Sequence, residues 1–414
     1  MIVRIELEAL EIEVDGRSAA QLDRDIERAM RERHRQAFKA CMSGLQTGEQ
    51  PACACGGTMR SNGMVPHTVE TLAGSVIVAR RRLRCPSCGL EVQPLDAALP
   101  RGLKHTAAVV ERGLYLAVEV SYAKASSMME RFFGVSISHG QLHRLALAEG
   151  GHVGAGLAKA TDDLFGLGLD PSERRPRTSD DTLVVAIDGG AVTHRDADTK
   201  YFEAKVGVVY GIRAQVSATR SVLVDRIGYA GVENSEVFTK RLCCLALQQG
   251  MRSAGRVLAL GDGAPWIRRA IADYFPDAIY LLDLFHLKRY VRRVLAERED
   301  ADLLGRVLRS CECGDVDAIV HELSSWRAPS ADRDEARRKL VRFVRVNRSG
   351  IENYARTDLF GSGAVEKAVD LLVSRRFKSR GMSWLQPGAH SLLKLRLLRF
   401  NDEWDEHWDC RIAA

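Results

Sequence analysis

Val184-Val185-Ala186-Ile187-Asp188-Gly189-Gly190 and Leu258-Ala259-Leu260-Gly261-Asp262-Gly263 are two short apolar runs, each closed by an aspartate and glycine. Runs of this length bounded by glycine read as buried strands of a covered sheet, so Asp188 and Asp262 are each expected where a strand leaves the core. A third carboxylate, in Gly361-Ser362-Gly363-Ala364-Val365-Glu366, opens a helix. The apolar stripe of that helix, Val365, Ala368, Val369 and Leu372, is expected to face the sheet with Glu366 at its edge. Two strand-end aspartates and a helix-borne glutamate offer the oxygen ligands that hard divalent cations take, with positions left open for phosphate oxygens and water. That donor set predicts phosphodiester chemistry. Taken singly, Asp before Gly is a common turn and Glu in a first helical turn complements the helix dipole. The ordered trio is what points to a site.

Around these runs, residues 183–187, 201–211, 220–228, 256–260 and 278–282 read as strands, and 234–249, 264–274 and 284–297 as helices. Three strands in series followed by alternating helix and strand predict a mixed α/β sheet. The succession resembles the RNase H-like order, in which the first and fourth strands lie side by side, and that resemblance implies that Asp188 and Asp262 come together. Residues 298–360 read as a charged helical insertion before Glu366.

Upstream, residues 1–14 alternate apolar and polar side chains and read as a strand, and residues 18–46 as a charged amphipathic helix. Cys53-Ala54-Cys55-Gly56-Gly57 and Cys85-Pro86-Ser87-Cys88-Gly89 flank a hairpin-like stretch. Two cysteine pairs on glycine-containing turns can converge on a tetrahedral thiolate site. Cys53, Cys55, Cys85 and Cys88 are therefore candidate ligands of one structural Zn²⁺ in a zinc-ribbon-like module. The first pair departs from the usual pattern, being Cys-x-Cys in place of Cys-x-x-Cys, and incidental buried thiols are the alternative. Cys311-Glu312-Cys313 lacks a partner pair and reads as incidental.

Residues 103–150 are expected to be helical, and Tyr122 to Leu145 reads as helix, glycine turn, helix, with Ser138 as N-cap. In a helix-turn-helix, His139, Gln141, His143 and Arg144 would reach a major groove. A generic helical hairpin is the plainer reading. The polar, Pro- and Arg-rich residues 169–181 read as a linker.

The composition is that of an ordinary globular protein, 46% apolar and 28% charged. No stretch has the length needed to cross a bilayer, and the acidic start Met1-Ile2-Val3-Arg4-Ile5-Glu6 does not read as a signal peptide, so a cytoplasmic location is expected. Ten cysteines without secretory features argue for thiols or metal in place of a disulfide framework. The net charge of +6 is mild. Basic clusters say more, and those at Arg80–Arg84, Arg174–Arg177, Arg289–Arg293 and Arg375–Arg380 are each candidates for phosphate contact or solvated helix faces.

The pieces Ala186-Ile187-Asp188-Gly189-Gly190, Gly261-Asp262-Gly263-Ala264-Pro265-Trp266-Ile267, Leu282-Asp283-Leu284-Phe285-His286-Leu287, Gly361-Ser362-Gly363-Ala364-Val365-Glu366 and Arg375-Arg376-Phe377-Lys378-Ser379-Arg380-Gly381-Met382-Ser383-Trp384 follow one another in a fixed order. In that order the chain resembles DDE transposases of bacterial insertion sequences of the Kra and Lre types, related to the Mutator-like group. The resemblance implies an RNase H-like catalytic domain over 182–414 with a helical insertion at about 298–360. Before it would come an N-terminal strand and helix (1–50), a zinc-ribbon-like module (51–100) and a helix-turn-helix domain (101–168). It implies Asp188, Asp262 and Glu366 as catalytic ligands of two Mg²⁺ or Mn²⁺ ions, Asp188 bridging them. Asp283 and His286, in the spacing Asp-x-x-His that the Mutator-like group shares, would be accessory, in contact with each other or with a phosphate. Arg375, Arg376, Lys378 and Arg380 would hold the scissile strand, and Trp384 would stack on a displaced base or sit in the core. The implied partners are double-stranded DNA, as terminal inverted repeats and target, and further copies of the chain, with no membrane. A non-catalytic DNA-binding descendant and an RNase H-like nuclease or resolvase are the rival readings.

Overall fold

The computed structural model describes residues 5, 10–46, 52–196, 198–211, 213–217, 220–223, 225–295, 301–357 and 363–413, which form two compact units, one of residues 1–145 and 406–414 and one of residues 146–405. The strand expected over 1–14 falls largely outside the described residues, and Leu10–Val14 form no regular element.

The first unit opens with helix α1 (Ala19–Gly44), started by a capping box in which Ser18 and Gln21 satisfy each other's backbone N–H groups. Strands β1 (Arg60–Thr71), β2 (Gly74–Arg84) and β3 (Glu91–Val92) form an antiparallel sheet. Its alternating face buries Val69, Val76 and Val78, against which Phe38 and Met42 of α1 pack. Helices α2 (Ala107–Ala117), α3 (Tyr122–Phe133) and the start of α4 (His139–Leu167) enclose Val109, Ala125, Met129, Ile137 and Leu142. Gly134 ends α3 in the left-handed conformation with φ 64°, and the Ser138 hydroxyl accepts the Gln141 N–H at 3.2 Å, so the expected turn and cap are both present.

The second unit is a mixed α/β structure. Strands β4 (Thr182–Thr193), β5 (Tyr201–Tyr210), β8 (Arg226–Gly231), β9 (Arg256–Gly261) and β10 (Ile279–Leu282) lie in the order β10-β9-β4-β5-β8. The first and fourth of these in sequence, β4 and β9, pair in parallel, as do β9 and β10, while β5 is antiparallel to both its neighbours. The strand expected over 220–228 is split. Its first part, β7 (Arg220–Leu223), pairs with β6 (Arg213–Ser217) in a hairpin outside the main sheet, and only the second part enters the sheet as β8. Helices α5 (Ser235–Gln248), α6 (Pro265–Tyr274) and α7 (Leu284–Leu295) follow the pattern of the sequence. The expected insertion contains α8 (Ala301–Cys313), α9 (Val316–Ser325), α10 (Ala331–Val346) and α11 (Arg348–Ala355), which share one core with Leu287, Val291 and Val294 of α7. Cys311 is a buried member of that core and Cys313 is exposed.

The segment expected as a linker is tied down. Arg175 and Arg177 both pair with the buried Asp225, and Arg177 Nε donates to the Gln249 carbonyl at 3.1 Å.

After α12 (Gly363–Val369) the helix widens into a π-turn at Asp370–Ser374, continues through α13 (Arg375–Phe377), and is followed by α14 (Gln386–Phe400) and α15 (Trp404–Ala413). A π-turn displaces the regular ladder and frees carbonyls. Arg396 of α14, itself buried, takes them, donating through Nε to Leu372 at 2.9 Å and through Nη2 to Leu371. This helix approaches β4 closely, because a Cβ on Gly190 would lie 3.0 Å from Val373 and 3.4 Å from Val369. Gly190→Val is therefore expected to lower the unfolding free energy by about 1–3 kcal/mol, the usual cost of overpacking, with Gly190→Ala milder. Urea unfolding of the second unit measures this. A valine variant unfolding at the wild-type midpoint would show that the strand and helix are not in contact.

Candidate functional site

Sheet register lines up the aspartates. Ile187 pairs with Gly261 and Gly261 with Leu282, so Asp188, Asp262 and Asp283 each stand one residue beyond the last paired row of β4, β9 and β10. Asp188 does not end its strand as expected. β4 continues to Thr193 alongside β5, and what stops at Ile187 is its pairing with β9. The carboxyl edge of parallel strands is where open α/β sheets place their ligands.

Backbone donors fix each aspartate. Asp188 Oδ1 accepts the N–H of Gly189 at 2.7 Å, Asp262 Oδ1 that of Ala264 at 2.8 Å, and Asp283 Oδ1 that of Phe285 at 2.9 Å. The N–H of Asp283 in turn donates to the Gly261 carbonyl at 2.8 Å, locking the row. His286, in the first turn of α7, places Nε2 3.8 Å from Asp283 Oδ2.

Two overlapping trios result. Ligand atoms of Asp188, Asp262 and His286 lie within 4.8 Å of one another, and so do those of Asp283, His286 and Glu366. The sheet thus gathers all three expected catalytic acids and both accessory residues, with Glu366 grouped with Asp283 and His286 while Asp188 and Asp262 form the other trio with His286. Negative charge accumulates there. Burial first, then the charges of Asp262 and Asp283, push the Asp188 carboxyl up to about 6, against the Gly189 N–H and His286, which pull it down. Oxygen donors with one imidazole and surplus negative charge fit a small divalent cation.

A second cluster lies in the first unit. Cys53 Sγ is 3.4 Å from Cys55 Sγ and 3.5 Å from Cys88 Sγ, and Cys55 Sγ is 3.6 Å from Cys85 Sγ. Four thiolates around Zn²⁺ at the usual bond length are about 3.8 Å apart, and the four sulfurs, all within 4.8 Å of one another, are close enough to share one ion. Each pair sits on a tight turn, closed by Gly56 N–H to Cys53 O at 2.9 Å and by Gly89 N–H to Cys85 O at 2.9 Å. The Cys-x-Cys spacing is accommodated because Gly57 carries no side chain; its Cβ would lie 2.9 Å from Cys85 Sγ. Backbone N–H groups of Cys88 and Ser87 lower the Cys85 thiol to about 6. The Cys55 N–H acts the same way on Cys53, but neighbouring thiols and burial outweigh it and push Cys53 up to about 12.

The expected nucleic-acid contacts divide. His139, His143 and Arg144 are exposed on α4, His143 packing edge-on to Tyr122 with ring centres 5.4 Å apart. Gln141 instead turns toward the buried His105, its Nε2 3.1 Å from Nδ1. Arg375 pairs with Asp370, and Lys378 and Arg380 are exposed. Arg376 contradicts its expected role, being only 1% exposed and stacked over the Trp384 ring at 4.9 Å. Trp384 is core, 4.8 Å from the Phe377 ring, and its backbone bridges to His194, the residue after β4. Arg80 is likewise buried against Asp96. Asp283, expected as accessory, stands in the same row as Asp188 and Asp262. The signal was present, since Ile279–Leu282 is a third apolar run closed by aspartate.

No helix among the described residues is long and apolar enough to cross a membrane. Comparison with curated proteins gives no match. The sequence profile of the uncharacterised protein family UPF0236 matches residues 61–408, from the first strand of the hairpin to the last helix, and the chain belongs to that family.

Proposed function

We propose that the protein is a DNA transposase that cuts phosphodiester bonds at the ends of an insertion element and joins the freed 3′ ends to target DNA. The observation that carries this reading is the convergence of Asp188, Asp262, Asp283, His286 and Glu366 at the carboxyl edge of β4, β9 and β10. The strand order, with β4 between an antiparallel β5 and a parallel β9, supports an RNase H-like catalytic domain. Asp188 and Asp262 would hold Mg²⁺ or Mn²⁺, with Glu366 completing the set from α12. Paired cations at such a site lower the pKa of an attacking water or 3′-hydroxyl and neutralise the leaving oxygen. The chain's own task is to hold carboxylates in a fixed row, through the three backbone N–H contacts, so that no rearrangement is needed at the moment of reaction.

The four cysteines support a zinc-ribbon-like module, and α3 and α4 a helix-turn-helix that reads terminal repeats through His139, His143 and Arg144. Backbone contacts fall to Lys378, Arg380 and Arg375, without the buried Arg376. Joining two DNA ends requires more than one copy of the chain.

The test incubates full-length protein with the DNA flanking its gene, a target plasmid and Mg²⁺ or Mn²⁺. Cleaved ends carrying 3′-hydroxyls and joined products are expected. Cleavage without joining would move the assignment to a nuclease, and a folded, metal-loaded protein that cuts nothing would overturn it.

A further inference from the structure

We infer that the outer face of α7 is a track for the strand being cut, on which Phe285 stacks against an unpaired base beside the scissile phosphate while Arg289 and Arg292 hold the backbone leading away. The inference rests on the reading of the acids as a phosphodiester-cutting centre and identifies a substrate contact for it.

Helix α7 uses its apolar stripe fully. Leu287, Val291, Val294 and Leu295 are buried against the insertion helices. Phe285 lies off that stripe and is 52% exposed, on the polar side of an amphipathic helix. Its ring centre is 6.0 Å from that of His286, the residue common to both trios, and its N–H is held by Asp283. An aromatic ring thereby stands in solvent beside the imidazole that both trios share, with no core to fill. Bases stack on such rings whatever their identity, because each has a π-face.

The rest of the face is cationic. At 3.6 residues per turn, Phe285, Arg289 and Arg292 fall on one line, with the arginines about 6 Å and about 10 Å further along the axis. All three are exposed. Lys288 is paired with Glu312 and Arg293 lies over the Tyr290 ring, whereas among the described residues Arg289 and Arg292 make no ion pair. Cations in line with a stacking ring match a polyanion with exposed bases. A base inside an intact duplex has no free face, so the occupant is single-stranded or frayed DNA at the cut.

The test uses the full chain with a short single-stranded oligonucleotide carrying 2-aminopurine at successive positions, in Ca²⁺. Wild-type protein is expected to quench the probe at one position. Phe285→Ala should bind about 5- to 100-fold more weakly and lose that quenching, and Phe285→Trp should restore both. Arg289→Ala and Arg292→Ala should keep the quenching and each reduce the slope of log affinity against log salt by about 0.7. Phe285→Ala binding and quenching like wild type, with an unchanged thermal midpoint, would overturn the track, as would arginine variants with wild-type salt dependence. Wild-type protein that binds neither single-stranded nor duplex DNA would instead overturn the reading of the centre, and the track with it.

Discussion

Asp188→Asn is expected to slow DNA cleavage by at least about a thousandfold, the loss of several kcal/mol of metal-derived stabilisation, while making the metal-free protein more stable near neutral pH. The two effects have one cause. Asparagine keeps the shape of the side chain and an oxygen for the Gly189 N–H, but it removes a charge that the fold disfavours. The folded-state carboxyl titrates at about 6, above the ordinary value near 4, because burial and the charges of Asp262 and Asp283 oppose ionisation. Between those values the folded state binds more protons than the unfolded one. The stability contributed by the protonated group is therefore complete below about pH 4 and lost as pH rises to about 6, a difference of up to about 3 kcal/mol. Divalent cations should reverse that loss. The wild-type thermal midpoint should rise with Mg²⁺ or Mn²⁺ above pH 6, and that of Asp188→Asn should not respond. A variant that cuts DNA at the wild-type rate, or whose midpoint follows added cation as wild type does, would reduce Asp188 to a turn residue.

Much of this centre is legible in the sequence because its geometry follows from a few local rules. Short apolar runs closed by aspartate are readable, and once β4, β9 and β10 are neighbours in register, the row of carboxylates is automatic. What escaped the sequence depends on partners remote in the chain. The basic tract from Arg375 to Arg380 reads as one cationic surface, yet the π-turn before it rotates Arg376 inward onto Trp384 and leaves Lys378 and Arg380 outside. Nothing local announces that turn, since the group that satisfies its carbonyls is Arg396 on another helix. Gln141 looks like its neighbours His139 and His143 until His105 is found beside it. The run 220–228 has one continuous β-pattern, and its division between β7 and β8 is set by pairing with β6, which composition does not encode.

Removing metal from the cysteine cluster is expected to unfold the module around it. The hairpin is small, and the cluster beneath the thiols consists of Cys53, Met59, Leu83 and Cys85 with Val92 packed against them. The Val69, Val76 and Val78 core holds the far end of the hairpin, but a cluster this small does not hold the turns and β3 at the cysteine end without a staple, whereas zinc bound by four thiolates contributes on the order of 10 kcal/mol to folding. The four sulfurs also disfavour one another's ionisation, a conflict that a bound cation would relieve. Cys85 is lowered to about 6 and Cys53 raised to about 12, so the bare cluster supports one thiolate readily while neighbouring thiols keep Cys53 protonated. Zinc would replace those protons and remove the conflict. Purified protein should therefore carry about one Zn²⁺ per chain. Cys85→Ser should lose it, and proteolysis should then cut between Cys53 and Val92, where the wild type resists. Metal analysis of the wild-type protein needs no variant to fold. If it finds no zinc and all ten thiols titrate freely, the turns that bring the cysteines together serve only the hairpin, and Gly57 is small for packing alone.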